Sequence, residues 1–356
     1  MFKRLVVPII MLSLLIALVT WLASGSSTQP KTAHWQSGWK TENSFNFARR
    51  APAAAAYGEH LYLVGGIDGD DQYVRTVEYS HIASDGTLGP WQLGSDLNEG
   101  RFYNAVVAAN GYLYTLGGGS GERGHENYPL DSVERAKIND DGSLGPWQLI
   151  SQMNTARRGL KTVVHHNTLY VIGGYDGQFL KSSEHTTLNA DGTLGDWAME
   201  PHESIIDRYI HSAASYEETL YLLGGHMRDP TKASYGDVES SRIQADHNLS
   251  AWQIEPQALL APRLVAEAFT LNHYLYIAGG HTGSDRLTSV EVSRIKANGD
   301  LGDWRYTTPL TLPRSAYAVA THQNHVYVLG GGGDDLPLNS VEMATANYRG
   351  DLGIIR

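Results

Sequence analysis

Six stretches of this chain repeat one arrangement of residues, and that repetition restricts the fold more than any other feature. Leu61-Tyr-Leu-Val-Gly-Gly66 recurs as Leu113-Tyr-Thr-Leu-Gly-Gly118, Leu169-Tyr-Val-Ile-Gly-Gly174 and Leu220-Tyr-Leu-Leu-Gly-Gly225. It recurs again as Leu275-Tyr-Ile-Ala-Gly-Gly280 and Val326-Tyr-Val-Leu-Gly-Gly331. An arginine stands twelve residues before each: Arg49, Arg101, Arg157, Arg208, Arg263 and Arg314. A tryptophan stands ten or eleven residues before each arginine: Trp39, Trp91, Trp147, Trp197, Trp252 and Trp304. After the glycines come Val77-Glu78, Val133-Glu134, Ser183-Glu184, Val238-Glu239, Val290-Glu291 and Val341-Glu342. Four landmarks stay in step six times at a mean spacing of 53 residues, which marks a repeat architecture.

Each landmark has a physical reason. A short apolar run rich in branched and aromatic residues predicts a strand covered on both faces. The paired glycines end it where the chain bends tightly or another backbone approaches. Asp85-Gly86, Asp141-Gly142, Asp191-Gly192, Asn298-Gly299 and Arg349-Gly350 predict two-residue hairpin turns. The fourth copy has Asp246-His247-Asn248 instead, so its turn is expected to be wider or strained. A buried Trp covers about 150–250 Å², at most about 4–6 kcal/mol of transfer free energy, and suits the space between stacked sheets. One unit therefore holds four strands: A after the Arg, B with the Gly-Gly, C with the Val-Glu, and D from the Trp.

A four-stranded meander cannot bury both faces alone, but six arranged around an axis can. On these residues the chain resembles the kelch-repeat β-propellers, in particular exported, bacterial-type kelch proteins. The resemblance spans residues 36–356 and implies an all-β, six-bladed propeller of four-stranded antiparallel blades. It departs in the last copy, where Ile355 stands at the Trp position. The chain opens with a D-type segment, Trp35 to Phe45, so this segment is expected to supply the outer strand of blade six.

The N-terminal segment is of another kind. Lys3 and Arg4 precede an uncharged run from Leu5 to Ala23, then Ser24-Gly25-Ser26-Ser27. This is the pattern of an N-terminal apolar helix serving as a cleaved signal peptide or a retained membrane anchor over residues 1–23. With the positive end inside, the remainder is placed extracytoplasmically, behind a polar tether at 24–35. Composition narrows the function. A net charge of −11 argues against nucleic acid. The absence of cysteine rules out a disulfide scaffold, a thiol nucleophile, Cys-ligated zinc and the cross-linked tyrosine of galactose-oxidase-like copper enzymes.

The resemblance places the B–C and D–A loops on one face around the channel mouth, where kelch domains that bind acidic peptides use arginines together with polar loop residues. The six repeated arginines read first as fold devices, bonding loop carbonyls or the Val-Glu carboxylate, with recognition as a second role. Aperiodic loop residues are better functional candidates because the fold does not require them. Those selected as ligand-binding are Arg123, His125, Glu126, Tyr128, His211, His226, Arg228, Glu267, His281 and Arg286. Further loop acids are Asp68, Asp70, Asp71, Asp176, Asp229, Asp285, Asp334 and Asp335. His211, His226 and His281 suggest a histidine cluster at the mouth, against the plainer reading of solvated surface histidines. Lys161 and Glu267 share one strand-A register and are expected to face the channel.

Several literal motifs carry little. Gly119-x-Gly121-x-x-Gly124 lacks the following helix of a dinucleotide site. Arg349-Gly350-Asp351 is a hairpin turn, and Asp68-Gly-Asp70-Asp71 lacks the closing glutamate of an EF-hand. No nucleophile, base and orienting group are assembled, and no cofactor or metal site is called for. The leading expectation is a non-catalytic module that binds a protein, peptide or glycan. The alternative implied by the resemblance is a sugar-acting kelch enzyme such as a sialic-acid mutarotase or epimerase, which needs an acid, a base and cations. A purely structural envelope protein is a third reading.

Overall fold

The Leu-Tyr runs are strands buried on both sides, and Leu61, Tyr62, Leu63 and Val64 are fully buried. The computed structural model describes residues 35–122, 125–228, 233–333 and 336–355. The apolar stretch Leu5–Ala23, the tether up to residue 34, Arg123, Asp229, Asp334 and Asp335 lie outside the described residues.

Blade one runs Ala53–Tyr57 (A), His60–Val64 (B), Val77–His81 (C) and Gln92–Leu93 (D). The same antiparallel meander forms blade two from Ala105–Ala109, Tyr112–Leu116, Ser132–Lys137 and Gln148–Gln152. Blade three uses Lys161–His165, Thr168–Ile172, Ser183–Thr187 and Ala198–Met199. Blade four uses Ser212–Tyr216, Thr219–Leu223, Val238–Arg242 and Gln253–Ile254. Blade five uses Glu267–Leu271, Tyr274–Ala278, Val290–Arg294 and Arg305–Thr307. Blade six has Ala318–His322, His325–Leu329 and Val341–Ala346. Its outer row is shared: Lys40–Glu42 pairs with Val341–Met343, while Leu352 and Gly353 pair with Ala346 and Thr345. The fold is thus an all-β six-bladed propeller.

Six apolar cores lie between neighbouring blades, one per joint. Indole N–H groups tie four of the six joints, while those of Trp252 and Trp304 have no partner among the described residues. Trp91 donates to the Asn43 carbonyl at 2.8 Å, Trp147 to that of Ser95 at 3.0 Å, and Trp39 to that of Thr308 at 3.1 Å. Strand-B tyrosines reach the hairpin of the next blade: Tyr62 to Gly142, Tyr114 to Gly192, Tyr170 to His247, Tyr221 to Gly299 and Tyr327 to Gly86. The buried Tyr276 hydroxyl has no such partner. The fourth hairpin keeps the length of the others. His247 simply takes the glycine position at φ 67°, so the exception is local strain rather than a wider turn.

The repeated arginines are the frame of each blade. All six are buried and paired with the strand-C glutamate of the same blade. Arg157 is typical: it bonds Glu184 at 2.9 Å and the carbonyls of Gly173 and Ser182 at 2.9 Å each. The second oxygen of Glu184 accepts the Asn154 amide at 2.7 Å. The guanidinium groups are buried and ion-paired within their own blades, which takes these arginines away from a ligand at the surface.

Two backbone bonds repeat at the joints. In the first, the residue two after each arginine adopts a left-handed φ and, at five of the six joints, donates to its counterpart in the preceding blade. Tyr103 donates to Ala51, Gly159 to Tyr103, Val265 to Ile210, Ala316 to Val265 and Ala51 to Ala316. In the second, the second glycine donates to the next blade's repeat arginine: Gly66 to Arg101, Gly118 to Arg157, Gly225 to Arg263, Gly280 to Arg314 and Gly331 to Arg49. The joint between blades three and four has neither: Ile210 does not bond Gly159, and Gly174 does not bond Arg208. At that joint the His211 ring stands beside Gly173, where a Cβ would meet its Cε1 at 2.7 Å; at Gly117 the same probe meets the Arg157 carbonyl at 2.5 Å.

Candidate functional site on the loop face

The end of each D–A loop forms a short antiparallel bridge with the start of its B–C loop, for example Arg158 with Tyr175 and Tyr209 with His226. This places both loop sets on one face. The residue after each repeat arginine, namely Arg50, Phe102, Arg158, Tyr209, Leu264 and Ser315, is the aperiodic position in the periodic frame.

Over blades two to four this position builds an aromatic crevice. Phe102 packs on Tyr73 at 4.5 Å between ring centroids, and Tyr209 on Tyr175 at 5.2 Å and Phe179 at 5.7 Å. Tyr103 closes it, 6.5 Å from Tyr209. The Arg158 guanidinium lies among these rings, 4.7 Å from Tyr175, 5.8 Å from Tyr209 and 6.0 Å from Phe102. Gly119 makes the space, since a Cβ there would meet the Phe102 ring at 2.6 Å. Burial raises the pKa of the Tyr209 hydroxyl, and Arg158 opposes the shift. Arg50 pairs with Asp71 and Arg228 with Asp207, but no carboxylate pairs with Arg158 among the described residues.

Below the mouth is a cavity of about 200 Å³, walled largely by alanines such as Ala53, Ala105 and Ala318. Lys161 and Glu267 meet in it as an ion pair. Burial pushes the Glu267 carboxyl upward, and Lys161 pulls it back. The Tyr317 hydroxyl accepts the Glu267 amide at 3.2 Å.

The selected residues fall into separate settings. His226 and Arg228 border the aromatic crevice through Phe179, at 5.7 and 5.3 Å. His125, Glu126 and Tyr128 line a cleft of about 520 Å³ between blades one and two, where the Tyr128 hydroxyl donates to Glu99 at 2.9 Å. His281 accepts the Gly283 amide at 2.9 Å and bridges Arg286 in the blade-five loop. His211 does not reach the mouth. It is 1 % exposed at the joint of blades three and four, and neither ring nitrogen has a partner. Burial, then Arg208 and Lys161, hold its pKa well below the usual value, so it is neutral. The three histidines thus form no cluster, and no group of three or more His, Asp or Glu is placed to hold a metal among the described residues. Asp68 instead accepts the amides of Asp70 and Gln72, each at 2.9 Å, as turns of this kind do.

The kelch motif model matches this chain at residues 48–79, 156–185 and 313–343, within blades one, three and six. The chain is a six-bladed β-propeller that carries kelch motifs. The kelch propeller is 28% identical to beta-scruin of Limulus polyphemus over 127 residues, 35% of this chain and 13% of that protein. It is 24% identical to kelch-like protein 23 of Homo sapiens over 281 residues, 77% of this chain and 44% of that one. It thus spans less than half the length of these curated relatives. The solved structure of YjhT superposes with a TM-score of 0.69 at 14% identity, over 88% of this chain and 99% of that one, a likeness of fold.

Proposed function

We propose that this kelch propeller is a non-catalytic binding module that recognises a protein, peptide or glycan through its B–C and D–A loop face. The observation that carries the reading is the gathering of Phe102, Tyr103, Tyr175, Phe179 and Tyr209 from three blades on that face. Tyr103, Tyr175, Phe179 and Tyr209 are half-buried over the buried Phe102 ring and present rigid aromatic area at low entropic cost. In the cavity below, Lys161 and Glu267 are bonded to each other. The basic start and the apolar run Leu5–Ala23 support export or tethering outside the cytoplasmic membrane. The test is to screen the full chain on peptide and glycan arrays, then repeat the screen with Phe179→Ala and Tyr209→Ala. Ligands that survive both substitutions would move the site off this face. A reporter fused after Ser27 and assayed on both sides of the membrane tests export.

A second reading, a sugar-acting enzyme such as a sialic-acid mutarotase or epimerase, is favoured by one observation. Glu267 is a carboxyl whose pKa is raised by burial in a cavity that opens toward the same face. Catalysed anomer exchange followed by NMR, lost in Glu267→Gln, would establish it. Uncatalysed exchange with the wild-type chain would exclude it.

A further inference from the structure

We propose that the face opposite the loops, built by the A–B and C–D turns, is a docking surface for an anionic lipid membrane, engaged when its histidines take up protons. Docking there leaves the loop face turned outward, so this surface is separate from the binding module above.

Eight of the fourteen described histidines lie on this turn face, and most stand in groups. His60 and His81 are cross-strand partners in blade one, their rings 5.5 Å apart. His322 and His325 face each other across the A–B turn of blade six. In blade three the rings of His165 and His166 are 4.2 Å apart, and His247 of the next blade's hairpin bonds the Thr168 hydroxyl at 3.1 Å. His273 of blade five meets the Tyr216 hydroxyl. His81, His166, His247 and His273 are exposed, and the others are half-buried. Glu59 and Asp141 face the first pair, Asp85 and Glu42 the second, and Glu218 and Asp246 the third group, while Glu217 stands beside Tyr216. Burial, then the neighbouring histidine, lowers the pKa of His60, His165 and His325.

No turn register holds histidine in more than two blades, so the repeat does not call for these residues. Their effect is on charge. Counted from the last residue of each strand A to the first of B, and from the last of C to the leucine closing its hairpin, the turns hold ten acids and five lysines or arginines. Protonating the eight histidines takes them from net −5 to +3, in the pH range where histidine gains its charge.

The course of the chain names the occupant. Lys40–Glu42 pairs antiparallel with Val341–Met343, which descends from the B–C loop toward the C–D turn. The chain therefore enters the propeller from the turn face. In the sequence the polar segment 24–35 separates that entry from the apolar run Leu5–Ala23, a reach of at most about 40 Å. A membrane that holds the apolar run is within reach of this face. Anionic headgroups attract each nearby basic group by about 1 kcal/mol and repel acids, so the face is pushed off at neutral pH and drawn in on acidification.

The test is hydrogen exchange of the full chain reconstituted in phosphatidylcholine vesicles with and without phosphatidylglycerol, which take up the apolar run alike. At pH 5.0 the turn-face amides are expected to exchange about tenfold more slowly on the anionic vesicles, with the loop face unchanged. At pH 7.5 the two vesicles are expected to give the same rates. Salt at about 1 M, where the Debye length is about 3 Å, is expected to remove the protection. Replacing the four exposed histidines (His81→Gln, His166→Asn, His247→Asn and His273→Asn) is expected to remove most of it. Asparagine tolerates the left-handed φ of the last three, as it does natively at Asn110 and Asn272. The double variant His81→Gln with His166→Asn is expected to lose part of the protection while melting like wild type at pH 7.5. The loop-face variant His226→Gln is expected to lose none. Equal exchange on both vesicles at pH 5.0, protection of the loop face instead, or protection unchanged in both turn-face variants overturns the proposal.

Discussion

Lys161 of blade three and Glu267 of blade five meet across the central channel, with blade four between them. At the matching register in blade four stands Ser212, whose hydroxyl bonds the Ala266 carbonyl at 2.7 Å. Lys161→Met leaves the Glu267 carboxyl in a part-buried site with no cation. Its pKa, already raised by burial from 4.5, rises further, so the folded state holds a proton that the unfolded chain has lost. Stability then falls as pH rises from about 4.5 through the folded pKa. Unfolding by urea is expected to show a loss of about 1–3 kcal/mol at pH 7.5 and little loss at pH 4.5. Adding Glu267→Gln is expected to recover part of it. Equal losses at both pH values would mean the lysine acts through packing alone.

The buried Arg–Glu frame makes a stronger prediction. Glu184→Gln unpairs Arg157 inside the protein, and breaking such a pair costs about 3–5 kcal/mol. An apolar double replacement is not expected to rescue it, because the Gly173 carbonyl and the Asn154 amide would lose their partners too. Chemical denaturation of the single and double variants checks this. A double variant as stable as wild type would show that the frame is dispensable.

The periodic part of the sequence made the architecture readable, because a residue recurring six times at one register answers to the fold. That logic identified strands, inter-blade tryptophans and the structural arginines, whose partners are the glutamates of the Val-Glu runs. The crevice was harder to see. Phe102, Arg158 and Tyr209 stand next to repeat arginines, and their aperiodicity was the available signal. Their convergence depends on the left-handed turn at Tyr103, Gly159 and Ile210, which no side-chain pattern announces where β-branched and aromatic residues adopt it. His211 read as a mouth residue because it follows a repeat arginine by three. In the structure that register points into the joint, where Leu160 and Ala266 are buried in blades three and five.

The strand-B tyrosines offer a paired comparison. Tyr327 donates to the Gly86 carbonyl at 2.7 Å, whereas the equally buried Tyr276 hydroxyl has no partner. Tyr327→Phe is expected to cost about 0.5–1.5 kcal/mol, the ordinary net value of a hydrogen bond. Tyr276→Phe is expected to be neutral or stabilising, since it removes an unsatisfied polar group. Thermal melts of the two variants in one buffer decide it, and equal losses would assign Tyr276 a partner.

His211 sets an acid limit on the fold. Burial and the neighbouring Arg208 and Lys161 keep it neutral, while the unfolded chain protonates it near pH 6.5. Below that pH the unfolded state binds one more proton than the folded state. Stability therefore falls on acidification by about 1.4 kcal/mol per pH unit from this group, down to its low folded pKa. His60 and His325, also lowered by burial, add to the slope. His211→Leu is expected to be at least as stable as wild type at pH 7.5, because neither ring nitrogen makes a hydrogen bond. The variant's advantage is then expected to grow between pH 6.5 and 5. Urea midpoints at pH 7.5, 6.5, 5.5 and 5.0 measure it, and parallel curves would mean that His211 takes up its proton without opening the joint.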